Sequence, residues 1–147
     1  MLLLTVLRTH ASLRVEAPPA PWEAHSDEVA LLTLLDGLVA AALGSGSTRT
    51  DLVLGVANVV VEADQDTDGE LTTPPPGEYV AVTLTGPGSW SSDWTWLPSL
   101  AGPHPPAPVS ADLLTRAMAV WAYGRDLGDG SSVSIFLRRA PDSPARH

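Results

Sequence analysis

The stretch "DQDTDGELTTPPP", Asp64 to Pro76, places carboxylates at Asp64, Asp66 and Asp68, followed by Gly69 and Glu70. Alternating carboxylates that lead into a glycine can wrap a hard cation. Calcium takes about six to eight oxygen ligands, and the glycine permits the sharp turn that gathers them. A loop of this type closes with a bidentate acid at its twelfth position. Counting from Asp64, that position is Pro75, which offers no carboxylate.

The first part of the stretch resembles the EF-hand loop. Asp64, Asp66, Asp68 and Gly69 match its opening slots, Glu70 could offer a carbonyl, and Leu71 matches the apolar anchor. The resemblance implies calcium ligation by those residues. It covers about eight residues and fails at Pro75. The flanks "DLVLGVANVVVEAD" and "EYVAVTLTG" also read as strands, where an EF-hand needs helices. Asp-Gly is a common turn, and acidic loop tips are usually solvated. The expectation is therefore a stiff, exposed acidic connector with no assigned metal. Weak calcium binding is the alternative.

A second candidate is "SWSSDWTWLP", with Trp90, Asp93, Trp94 and Trp96. In an extended backbone Trp94 and Trp96 project to the same side. Tryptophans beside hydrogen-bonding groups suit a stacked sugar, a proline-rich peptide or the hot spot of a protein interface. The bland reading is that the rings close the open side of a sheet, and that reading is preferred here. At least one of Trp90, Trp94 and Trp96 is expected to stay partly exposed.

Other chemistry is not indicated. His10, His25, His104 and His147 are scattered, with no metal-binding pair and no base beside a nucleophile. No G-x-S-x-G occurs, and the chain has neither lysine for a phosphate loop nor cysteine. "GRDLGDGSS" has glycines in the wrong order for a dinucleotide fingerprint. The expectation is a protein that is not an enzyme and needs no cofactor.

Charge carries more information than any motif. The formal net charge is −9 over 147 residues, and all eight basic side chains are arginine. Between Arg49 and Arg116 no basic residue occurs, while Asp51, Glu62, Asp64, Asp66, Asp68, Glu70, Glu78, Asp93 and Asp112 do. Such a field repels nucleic-acid and membrane phosphates and attracts basic partners. The leading expectation is a small acidic interaction protein that binds a basic protein partner through Asp64, Asp66, Asp68, Glu70, Trp90, Asp93, Trp94 and Trp96. Toxin-immunity proteins and adaptors offer an analogy of size and charge only. The alternative is a small-ligand or weak calcium-binding module that uses the same two stretches.

These stretches must be positioned by elements whose patterns are clearer. Leu2–Leu7 and the alternating Leu13 and Val15 read as strand. The apolar run to Arg8 is short for a signal-peptide core, and no run reaches the length of a membrane span. Ser26 is read as the cap of a helix with Leu31, Leu35, Leu38 and Ala42 on one stripe. "DLVLGVANVVVEAD" reads as a central strand, with Asn58 hydrogen-bonded inside it. "EYVAVTLTG" follows, and residues 86–108 read as irregular. Ser110 caps "ADLLTRAMAVWAYGRD", read as one helix with Leu113, Leu114, Ala117, Met118 and Trp121 inward. "SSVSIFLRRA" is the last strand.

The order β-α-β-β-α-β predicts an α+β, ferredoxin-like two-layer sandwich, with an antiparallel sheet and two helices on one face. A related two-layer α/β arrangement is the second choice. One domain over 1–140 is expected, with 141–147 as a disordered tail. A cytoplasmic, bacterial protein is the compositional expectation. Exposed strand edges leave a homodimer open.

Overall fold

Among the described residues, six strands hydrogen-bond into one mixed sheet, and two helices accompany it. The computed structural model describes residues 13–43, 52–62, 76–98 and 109–140. In chain order the elements are β1 (Leu13–Glu16), α1 (Glu28–Leu43), β2 (Leu52–Val61), β3 (Gly77–Pro87), β4 (Trp94–Trp96), α2 (Ala111–Arg116), β5 (Ala119–Asp126) and β6 (Gly130–Arg138). Their order across the sheet is β1-β2-β3-β6-β5-β4. β1 runs parallel to β2, with α1 as the crossover, and every other neighbouring pair is antiparallel.

α1 forms because good helix formers follow a cap and its apolar residues recur at helical spacing. The cap is Asp27, whose Oδ1 accepts the N–H of Ala30 at 3.1 Å. Ser26, expected in that role, instead donates its hydroxyl to the Ala117 carbonyl at 2.6 Å. Leu31, Leu34, Leu35, Leu38, Val39 and Ala42 are all buried. They pack on Leu52, Leu54 and Val56 of β2, Val80, Val82 and Leu84 of β3, and Val133, Ile135 and Leu137 of β6. Burying each such leucine stabilises the fold by about 1.5–3 kcal/mol.

The other face of the sheet carries a smaller, aromatic cluster of Tyr79, Ala81, Leu97, Trp121 and Phe136. Trp121 meets Phe136 edge to face at 5.1 Å between centroids, and Tyr79 meets Phe136 at 6.0 Å. Burial pushes the Tyr79 phenol above its ordinary value, and the Arg138 charge pulls it part of the way back.

The ferredoxin-like plan is overturned. β1 and β2 lie side by side in parallel, and among the described residues the second half contributes four strands and one short helix. The error lies in "ADLLTRAMAVWAYGRD". Ser110 does cap the helix, its hydroxyl accepting the Leu113 N–H at 3.0 Å, but α2 ends at Arg116. Met118 adopts φ 67°, which breaks the helix, and Ala119–Asp126 becomes β5. A bulge between Ala119 and Trp121 shifts the strand's alternation, so Trp121 joins the aromatic face while Leu114 and Ala117 stay in the main core. Alanines and aromatics at these spacings satisfy a helical stripe and a bulged strand alike.

The second correction concerns residues 86–108. Trp94–Trp96 forms an edge strand paired with β5, with Trp94 opposite Gly124 and Trp96 opposite Ala122. The interior position of β2 and the facing of β3 and β6 agree with the sequence reading, while residues 44–50, which follow α1, lie outside the described residues. Leu2–Leu7 and the tail 141–147 lie outside the described residues. No helix among the described residues is long and apolar enough to cross a membrane.

Candidate interaction surface

The tryptophan stretch is built from the sheet outward. Trp94 and Trp96 do share a side, because β4 is extended. Trp96 is buried in the main core, and Trp90 and Trp94 pack against it while remaining partly exposed. A glycine makes room for one of these rings, since a Cβ on Gly124 would collide with Trp94 Nε1, whereas one on Gly86 would collide with Leu52 Cδ2. The rings therefore close the α1-side core, as the bland reading expected, and they do not assemble an open stacking platform.

A buried serine fastens the same corner. Ser131 Oγ donates to the Gly88 carbonyl at 2.8 Å and accepts the N–H groups of Trp90 and Ser91 at 3.1 and 3.2 Å. Asp93 is exposed, and its Oδ1 accepts the Asp126 N–H at 2.9 Å. Asp126 in turn accepts the Gly128 N–H at 3.0 Å, shaping the β5–β6 turn. Asp93, Asp126 and Asp129 thus gather at one end of the sheet, where Pro87 pairs with Gly130.

Asp64, Asp66, Asp68 and Glu70 lie outside the described residues, as does the polyproline run at Pro74 and Pro75. Their anchors are described. β2 ends and β3 begins at the pair Val61–Gly77. Pro87, at the other end of β3, is ten residues further along the strand, about 33 Å away at the rise of an extended chain. Among the described members of the sequence-predicted set, Trp90, Asp93 and Trp94 sit at the Pro87 end and Trp96 sits in mid-sheet.

Two polar side chains, Asn58 and Arg139, fasten the segment before α1 to the sheet. Asn58 accepts the Trp22 N–H through Oδ1 and donates to the Ala20 carbonyl through Nδ2, both at 3.0 Å. The expectation that Asn58 is hydrogen-bonded holds, but its partners were not foreseen. Arg139 lies over the Trp22 ring at 4.2 Å and pairs with Glu78 at 3.0 Å. Together with the backbone bonds His25 N–H to Arg138 O and Ala140 N–H to Glu23 O, these contacts bind residues 20–25 to the end of β6. His25 is exposed and takes part through its backbone; His10, His104 and His147 lie outside the described residues.

The electrostatics are asymmetric. Each of the five described arginines is already engaged. Arg14 pairs with Glu16, Arg116 with Asp112 and Arg139 with Glu78. Arg125 and Arg138 stand over the rings of Tyr123 and Tyr79. Exposed Asp27, Glu28, Glu62, Asp93, Asp126 and Asp129 form no ion pair with another described residue. Among the described residues no group of three histidines or acids is placed to hold a metal ion. No protein-family model matches the chain, and a search of curated proteins finds no relative.

Proposed function

We propose that this chain is a small, acidic, non-enzymatic interaction protein, immunity- or adaptor-like, that binds a basic protein partner. The observation that carries the reading is the imbalance of engaged and available charge. The described arginines are occupied by carboxylates or rings, while six exposed acids have no described ionic partner. The connector acids Asp64, Asp66, Asp68 and Glu70 add to the same sign. A one-signed field accelerates encounter with a basic surface and makes binding salt-sensitive. The reading assumes a cytoplasmic setting.

The test is capture. The chain is immobilised, exposed to an extract of its own host at low salt, and eluted with a salt step. The expected result is a basic protein whose purified form rebinds with an affinity that falls as ionic strength rises, because screening shortens the reach of surface charge. Recovery of nothing that high salt releases would overturn the proposal. Calorimetric heat on titration up to millimolar calcium would favour the weak calcium-binding alternative instead.

A further inference from the structure

Met118 has the only positive φ among the described non-glycine residues, at 67°. It follows the Ala117 C-cap of α2, the place where a helix end prefers glycine, because a Cβ crowds the left-handed conformation. A strained residue is usually retained for what its side chain does. Packing in the core does not account for this one. Met118 is 41% exposed and belongs to neither core cluster.

The surroundings resemble the centre of an interface. The Ser26 hydroxyl donates to the Ala117 carbonyl at 2.6 Å, which brings the start of α1 beside Met118. That first turn carries Val29, the most exposed large apolar side chain of the described residues at 71%. Exposed Asp27 and Glu28 precede it, and on α2 exposed Asp112 is paired with Arg116. An apolar centre with a charged rim is how interfaces are commonly built. Methionine suits the centre, since its flexible thioether adapts to a partner's surface.

We infer that Met118, with Val29, is the apolar contact by which the chain docks its basic partner, which would place an apolar side chain within a basic rim there. This inference rests on the interaction reading above and names its surface. Asp27 and Glu28 supply the charge complementarity, and the strain at Met118 supplies the independent reason.

The experiment compares the wild-type chain with Met118→Gly and Met118→Leu, using the purified protein recovered in the salt step as the probe. Met118→Gly should leave the thermal midpoint unchanged or raise it by a few degrees as strain is relieved. It should weaken partner binding by about tenfold or more, and Met118→Leu should keep most of the affinity. Binding of Met118→Gly within about twofold of wild type overturns the inference, and the interaction reading survives. A lowered midpoint for Met118→Gly also overturns it, because the side chain would then be structural. Self-association of the wild type that Met118→Gly abolishes would assign the surface to a second copy instead. Failure to recover any salt-released partner overturns the interaction reading, and this inference falls with it.

Discussion

The two ends of the sheet are closed by different physics. At the Pro87 end, the Trp94 ring lies over Gly124 and one buried serine gathers three backbone groups. At the Gly77 end, polar side chains tie residues 20–25 to β2 and β6 with much of the bonding open to water. Large buried rings remove much apolar surface from water, and a buried hydrogen bond has no substitute when it is lost. Exposed polar ties can exchange with water at small cost. The Pro87 end should therefore contribute more to stability. The Gly77 end, which also carries Met118 near the Ala119–Leu137 pair, has more freedom to serve recognition.

The largest expected effect tests the ring side of this comparison. Trp96→Ala should lose about 3–5 kcal/mol of unfolding free energy, the range for a buried large aromatic, because Trp96 is only 6% exposed in the main core. Trp94→Ala should lose less, since that ring is partly exposed. Urea or guanidinium unfolding followed by circular dichroism measures both. Equal losses would mean that the two rings are not divided into core and cover.

How far these features could be read in advance follows the range of the interactions. α1, β2, β3 and β6 announce themselves through local periodicity, and Ser110 through its position before a helical run. β4 does not, because Trp94, Thr95 and Trp96 are too few to show alternation and stand among serines and prolines. β5 reads as helix because its bulge breaks the period at Val120. Sheet order is set by pairings that no local pattern records. Asn58 is the clearest case at the candidate surface: its need for partners was legible, but Ala20 and Trp22 are 38 and 36 residues away. Ser131 looked like one of many serines, and nothing in its neighbours marks it as buried.

The middle-sized effects compare one polar anchor from each end. Ser131→Ala should cost about 1–3 kcal/mol, since it strands backbone groups of Gly88, Trp90 and Ser91 around a fully buried hydroxyl. Asn58→Ala should cost about 1 kcal/mol, because water reaches its half-exposed site and can replace part of what is lost. Hydrogen exchange supplies the local readout. The Trp90 and Ser91 amides should lose protection in the first variant, and the Trp22 amide in the second. If Asn58→Ala proved the costlier, the Gly77 end would be the more tightly built of the two.

The smallest effect is expected at the Glu78–Arg139 pair. Its carboxylate side chain is 52% exposed, so solvent screens the attraction, and Glu78→Gln should change stability by about 0.2–1 kcal/mol. That difference should shrink further in 1 M salt, where the screening length is about 3 Å. Arg139→Ala should cost more than Glu78→Gln, because it also removes the cation over the Trp22 ring and the apolar stem beneath the guanidinium. A salt titration of the two variants separates the causes. The Glu78→Gln deficit should fade as salt rises, and most of the Arg139→Ala deficit should persist. If both faded together, the Gly77 end would be held mainly by charge, and the stacking of Arg139 on Trp22 would contribute little.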